Sequence, residues 1–107
     1  MPEQLPEAPL APEDCQTMLD VRAGVDALDA ELVGLLARRF AYMRAAARIK
    51  PTREAVRDER RKAEVIANAV ARAEAAGLPG DLIGHLWDQL VEGSIGYELG
   101  EWDSMRA

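Results

Sequence analysis

The chain has very few of the residues on which metal, disulfide and covalent chemistry depend. One cysteine, Cys15, and one histidine, His85, occur in 107 residues. A single cysteine cannot form a disulfide within the chain, and the two residues together cannot make a structural zinc site. Phosphate-binding glycine loops and the G-x-S-x-G motif are missing as well. We therefore expect a function that needs no metal, no cofactor and no protein nucleophile.

Long apolar runs and aromatic side chains are also scarce. No run approaches the roughly 20 apolar residues that span a bilayer, and the start of the chain has no basic and apolar signal segment. These absences predict a cytoplasmic protein without a membrane partner. Aromatic residues make up 5% of the chain, too few to form stacking platforms among the basic residues, so we expect no nucleic-acid partner.

What the chain does have is an uneven distribution of charge. The formal net charge is -6, yet eleven of the thirteen lysines and arginines lie between Arg38 and Arg72, against four acidic residues. That stretch carries +7 and the remainder carries -13. Such a pattern is typical of a salt-bridged helical face, but it also offers cations to a small anion.

Proline and apolar spacing divide the chain into a lead-in and a helical domain. Residues 1–12 contain four of the six prolines and are predicted to be disordered, and residues 13–107 are predicted to form a single all-helical domain. Residues 13–50 contain no proline, and their apolar residues recur at helical spacing. We expect a first helix from Glu13 to Lys50, with Pro12 in its first turn and Pro51 ending it.

Two shorter helices are predicted after this one. A short polar link covers residues 51–57, and the second helix runs from about Asp58 to Ala76, with Gly77 as its C-terminal cap. A third helix runs from about Leu82 to Trp102, with Asp81 as its N-terminal cap. No segment has the alternation of a strand, so the expected fold class is all-α with three helices.

The predicted length of the first helix indicates an oligomer. About 37 residues at 1.5 Å each span roughly 55 Å, whereas a compact domain of this size is about 35 Å across. The apolar stripe of the helix must be covered along its length, and a second copy of the chain is the simplest cover. We expect an intertwined helical homodimer.

Several ionisable residues fall on faces that should be buried. Arg39 and Lys50 lie on the apolar stripe of the first helix, and Ser94 and Glu98 lie one turn apart on that of the third. A buried cation must be paired or must bind something. A half-buried glutamate could keep its proton near neutral pH and donate a hydrogen bond, or it could simply pair with a core arginine.

The second helix adds a third group of charges. Asp58 and Lys62 are four residues apart, a spacing that most often makes an ordinary salt bridge, and Arg61 lies at the edge of the same face.

These residues, in this order, resemble the all-helical chorismate mutase family, which includes the isochorismate-pyruvate lyases. The resemblance covers roughly residues 14–102. It is carried by the stretch from Val21 to Leu32, by Leu35 to Arg39, Lys50, Val56 to Asp58, Arg61, the turn at Gly77 and Leu78, Leu86 and Trp87, Ser94 and Glu98.

The resemblance implies a pericyclic reaction on a small dianion, chorismate or isochorismate, and a role for each matching residue. Arg22 and Arg39 would bind the two carboxylates, and Lys50 would bind a carboxylate and the ether oxygen. Because Arg22 and Arg39 are 17 residues apart, about 25 Å along one helix, Arg22 would serve the other subunit's site. The remaining implied site residues are Asp58 and Arg61, Ser94 lining the pocket, and Glu98 facing the ether oxygen.

Lys62 departs from the mutase pattern. Many mutases have a glutamate here that binds the C4 hydroxyl of chorismate, so Lys62 leaves the substrate open. We expect conversion of chorismate to prephenate by Lys50, Glu98 and Arg39. One alternative is a lyase that gives salicylate and pyruvate, which the lead-in from Pro12 to Cys15 also resembles. The other is a non-catalytic helical dimer that binds an aromatic-pathway metabolite.

Overall fold

The computed structural model describes residues 8–107 and is all-helical, which confirms the predicted fold class. Three α-helices, α1 (Met18–Ile49), α2 (Glu59–Ala75) and α3 (Gly80–Met105), follow one another, and the described residues contain no strand. No helix among them is both long and apolar enough to cross a membrane. Residues 1–7 of the predicted lead-in lie outside the described residues, so the domain boundaries stay a prediction, as does the homodimer.

The chain divides into two compact units, of which the first ends at Arg39 and the second covers Phe40–Ala107. α1 begins in the first unit at Met18, not at the predicted Glu13. Pro12 starts a separate 3-10 helix, Pro12–Asp14, instead of the first turn of α1.

The later start of α1 has a local cause. The hydroxyl of Thr17 accepts a hydrogen bond from the Asp20 N–H, and the Asp20 carboxylate accepts from the N–H groups of Gln16 and Thr17. This reciprocal arrangement is a capping box, and it fixes the helix start at the following residue. The bond from the Gln16 N–H lowers the pKa of Asp20.

The part of α1 in the first unit exposes its apolar side chains. The large apolar residues of the predicted stripe in this unit are each at least 38% exposed: Val21, Val25, Leu28, Leu32, Leu35 and Leu36. In the described chain the stripe is therefore open to solvent.

The second unit packs its core around the segment predicted to be a polar link. That segment forms a 3-10 helix, Arg53–Val56, and Val56 is 4% exposed. The link prediction was wrong for Val56 because its apolar side chain packs in one cluster with Val91 and Ile95 of α3. Further partly buried residues that pack against this cluster are Val65, Ile66, Leu99 and Trp102.

α2 has the predicted limits to within one residue. Asp58 is its N-cap, and its carboxylate accepts from the Arg61 N–H at 2.9 Å. At the other end Gly77 has a φ of 77°, a conformation that glycine adopts without strain. The Leu78 N–H donates to the Ala73 carbonyl at 2.8 Å, which completes a Schellman motif.

α3 starts two residues earlier than predicted. Pro79 is its N-cap, so Asp81 lies inside the first turn and is not the cap. A carboxylate in the first turn still favours the helix through the dipole. The helix extends to Met105, past the predicted end at Trp102, and its buried face carries Val91, Ser94, Ile95 and Glu98.

Candidate active site

Lys50 and Glu98, both predicted as site residues, form an ion pair in the second unit. Lys50 follows the last residue of α1, and its Nζ lies 2.7 Å from Oε2 of Glu98 in α3. The Glu98 side chain is 5% exposed and that of Lys50 is 30% exposed. The pairing of Glu98 with a cation was one of the two expectations, although the partner is a lysine and not an arginine.

Main-chain groups around this pair were not predicted. The Lys50 ammonium is also 3.4 Å from the Val56 carbonyl, and the Trp102 indole N–H donates to the Lys50 carbonyl at 3.1 Å. The 3-10 helix before α2 and the last turns of α3 therefore meet at Lys50. Sequence reasoning missed these contacts because they depend on where the link folds back, and only Pro51 hinted at a special end of α1.

Ser94 lies one turn before Glu98 on the buried face of α3 and is 3% exposed. Its hydroxyl donates to the Leu90 carbonyl of its own helix at 2.7 Å. Ser94 and Glu98 thus place two polar groups in an otherwise apolar interior.

Asp58 and Arg61 have structural partners within α2. Asp58 caps the helix, and Arg61, which is exposed, pairs with Glu64 one turn later. The Asp58 side chain therefore supports the helix start, and the Arg61 guanidinium belongs to a surface ion pair. Their roles toward a substrate remain predictions.

Lys62 is held by two carboxylates of α3 and not by Asp58. Its Nζ lies 2.8 Å from Glu92 and 3.1 Å from Asp88, and its side chain is 20% exposed. The bonds to Glu92 and Asp88 raise the pKa of Lys62. Residue 62 therefore links α2 to α3, and the expected salt bridge with Asp58 is replaced because α3 lies alongside.

Arg57 completes this charge cluster. Its guanidinium makes two hydrogen bonds to the Glu92 carboxylate, at 2.9 and 3.0 Å. Together Arg57 and Lys62 lower the pKa of Glu92 to about 2, because both stabilise its ionised form. The lysine at position 62, where many mutases have a glutamate, is thus paired with the acids at positions 88 and 92.

Arg22 and Arg39 lie in the first unit, on α1. Arg22 is exposed, whereas Arg39 is half-buried, and burial lowers the pKa of Arg39. They lie 17 positions apart on α1, which corresponds to about 25 Å of helix. What they bind remains a prediction.

Comparison with known proteins decides the family. The sequence profile described as chorismate mutase type II matches residues 21–99. The chain belongs to the chorismate mutase type II family. The match includes every candidate site residue from Arg22 to Glu98.

A curated relative extends this assignment to nearly the whole chain. The isochorismate pyruvate lyase of Pseudomonas aeruginosa is 30% identical to it over 95 residues, which is 89% of this chain and 94% of the relative. The predicted family is thereby confirmed. Chorismate mutase type II proteins are enzymes, and residues 8–107 here contain no group of three metal-ligating side chains.

Proposed function

We propose that the chain catalyses a pericyclic reaction of a chorismate-type dianion, and that the rearrangement of chorismate to prephenate is its main activity. The pair of Lys50 with the buried Glu98 carries this proposal. A lysine ammonium and a carboxyl group 2.7 Å apart in an apolar interior are two potential donors for one ether oxygen. The other support is membership of the chorismate mutase type II family.

For this reaction the protein needs only to orient the substrate and to donate hydrogen bonds to it. In the rearrangement the ether C–O bond breaks while a C–C bond forms, so no atom enters or leaves and no nucleophile is required. Negative charge grows on the ether oxygen as the bond breaks. Donors placed there bind the transition state better than the ground state, and loss of one such donor costs about 3–4 kcal/mol.

Lys50 supplies the permanent cation in this proposal. Its ammonium has three N–H groups, of which one donates to Glu98 and a second faces the Val56 carbonyl. The third would donate to the ether oxygen or to a substrate carboxylate. Glu98 can donate to the ether oxygen only in its protonated form.

The other predicted residues complete the substrate site in this proposal. Arg39 and Arg22 would bind the carboxylates, since arginine matches a carboxylate with two parallel hydrogen bonds. Ser94 would line the pocket. Asp58, the N-cap of α2, would border the ring hydroxyl. Arg61 would add a further cation, and Lys62 lies at the position where many mutases bind that hydroxyl with a glutamate.

A second copy of the chain is part of the same proposal. The open apolar face of α1 needs a cover, and about 25 Å of helix separates Arg22 from Arg39, too far for one small dianion. In a homodimer Arg22 would serve the partner subunit's site. The expected place of action is the cytoplasm.

The lyase reaction is the second candidate, and two observations favour it. The curated relative is named an isochorismate pyruvate lyase, and Lys62 replaces the glutamate that the mutase resemblance predicts. In that reaction the ether C–O bond breaks while a ring hydrogen passes to the departing enolpyruvyl group, which gives salicylate and pyruvate. The same two donors would assist it.

One experiment separates these activities. The purified chain is incubated with chorismate and, separately, with isochorismate, and the products are identified by chromatography with mass detection. Prephenate from chorismate supports the main proposal, and salicylate with pyruvate from isochorismate supports the second. Thermal stabilisation by either compound without any product would indicate a non-catalytic binding protein and contradict both.

A further inference from the structure

Pro51 removes a hydrogen bond from the C-terminal end of α1. In a continuing helix the N–H of residue 51 would donate to the carbonyl of residue 47, but proline has no N–H. Ala47 is 0% exposed, so solvent does not reach this residue, and an unpaired buried carbonyl is costly. The guanidinium of Arg106 takes the place of the missing donor, with Nη1 3.0 Å from the Ala47 oxygen.

The same guanidinium holds other carbonyls at this helix end. Its Nη2 lies 3.0 Å from the Lys50 oxygen and 3.4 Å from the Arg48 oxygen. Nη1 also lies 3.3 Å from the carbonyl of Trp102. The planar fork of an arginine suits such a spread of acceptors, and a cation is favoured at a helix C-terminus.

Trp102 adds a second donor to the same atom of Lys50. Its indole N–H donates to the Lys50 carbonyl at 3.1 Å, and the Arg106 guanidinium carbon lies 4.1 Å from the centre of its ring. The carbonyl of Lys50 therefore receives one bond from each residue, and the stacked contact orders the two donors relative to each other.

We propose that Trp102 and Arg106 form a carbonyl clamp, a pair of positioning residues that fixes the main chain of Lys50 so that its ammonium reaches Glu98 and the substrate. This inference rests on the proposed function of Lys50. Neither clamp residue touches the reacting atoms. They fix the main chain of Lys50, and so the position of its long, flexible side chain. A displacement of about 1 Å in a catalytic group such as its ammonium can reduce a rate about 100-fold.

The test uses three variants of the full chain. Arg106→Gln removes the charge and most of the donors, and Arg106→Lys keeps the charge without the planar fork. Trp102→Phe keeps a ring for stacking and removes only the indole N–H, so it tests the clamp even if Arg106→Gln folds poorly. The matched control is Asp103→Asn, which breaks the adjacent tie between α3 and Arg53 and touches no atom of Lys50.

Steady-state kinetics on the substrate that the wild type turns over are measured at 10 °C, where circular dichroism verifies that each variant is folded. We expect kcat of Arg106→Gln and Trp102→Phe to fall about 10- to 100-fold, with KM changed much less. Arg106→Lys should be intermediate, and Asp103→Asn should resemble the wild type. A purely structural clamp would leave kcat of the folded variants within about twofold of the control, and that result would overturn the proposal.

A second measurement does not depend on activity. The urea midpoints of Arg106→Gln, Glu98→Gln and the double variant form a double-mutant cycle. If the clamp positions Lys50 against Glu98, the effect of Glu98→Gln should shrink in the Arg106→Gln background. Additive effects would contradict the clamp. Coupling in a protein that converts neither substrate would instead reject the proposed function and leave the clamp in place.

Discussion

The Lys50 ammonium and the Glu98 carboxylate meet at 2.7 Å, one from the C-terminal end of α1 and the other from the buried face of α3. The contact joins residues 48 positions apart in the chain. Glu98 is almost fully enclosed, whereas Lys50 keeps some access to solvent. The pair therefore has one side that a small anion can approach and one side that it cannot.

Removal of Lys50 should abolish turnover and also cost stability. Lys50→Ala leaves the Glu98 carboxylate buried without its cation, which we expect to lower the free energy of unfolding by about 1–3 kcal/mol. The helical circular dichroism signal at 10 °C should persist. Adding Glu98→Gln should recover much of the stability but none of the turnover, since a neutral amide needs no counter-ion. Full turnover by Lys50→Ala would show that the site is assigned wrongly.

The proposed donor role of Glu98 gives the reaction a pH dependence. Only the protonated carboxyl group can donate to the ether oxygen, so kcat should fall as pH rises. Glu98→Gln carries an N–H donor at every pH and should flatten the profile. The measurement is kcat between pH 5 and 9 for both proteins. A wild-type profile that is already flat over this range would contradict the donor role.

The cluster of Glu92 with Arg57 and Lys62 should make stability sensitive to acid. The folded chain holds the pKa of Glu92 at about 2, below its ordinary value of 4.5. A lowered folded pKa contributes stability above about pH 4.5 that is lost as pH falls toward 2. Urea midpoints between pH 7 and 2 should therefore fall less steeply for Glu92→Gln than for the wild type. Equal slopes would show that this cluster does not contribute.

Lys62→Glu should destabilise the chain and not simply restore a mutase-like residue. The new carboxylate would lie beside Asp88 and Glu92, which now bind the lysine, and like charges repel. We expect a lower urea midpoint for Lys62→Glu than for Lys62→Gln. The ratio of activities on chorismate and isochorismate, measured on both variants, then shows whether residue 62 affects substrate choice. Equal urea midpoints for the two variants would show that a carboxylate at position 62 is not repelled by Asp88 and Glu92.

The proposed dimer can be tested on the open face of α1. Leu28→Asp with Leu32→Asp places charges among side chains that are 57% and 55% exposed in the single chain. We expect sedimentation to shift from a dimer to a monomer with loss of helicity, while Asp29→Asn on the same helix changes neither. A wild-type monomer at micromolar concentration would contradict the dimer.

Arg22 allows a complementary measurement. If it serves the partner's site, mixing inactive Arg22→Ala and Lys50→Ala chains should restore activity, because one site of each mixed dimer then has both residues. No recovery after refolding the mixture would argue that Arg22 serves its own subunit or no site.

Sequence reasoning was successful where the signal is local. The helical spacing of apolar residues, the turn at Gly77 and Pro51 predicted the three helices. The starts of α1 and α3 differ from the prediction because caps decide them. The capping box of Thr17 with Asp20 sets the start of α1, and Pro79 is the N-cap of α3. Lys50 and Glu98 stood out because a charge on an apolar stripe needs a partner.

Contacts between distant segments could not be predicted from periodicity. The position of Lys62 in the sequence does not indicate that it would bind Asp88 and Glu92 and not Asp58. Its partners depend on how α3 lies along α2. The burial of Val56 and the hydrogen bonds from Arg106 to the end of α1 could not be predicted for the same reason. Both depend on the path of the link at residues 51–57, whose composition is polar.

The bond from Arg106 to the Lys50 carbonyl spans 56 residues of chain. A nascent chain completes residues 18–49 before residue 106 is made, so the Ala47 and Lys50 carbonyls can receive their bonds from Arg106 only after α3 has been made. The ammonium of Lys50 can take its final position only after α3, at the other end of the second unit, has been synthesised.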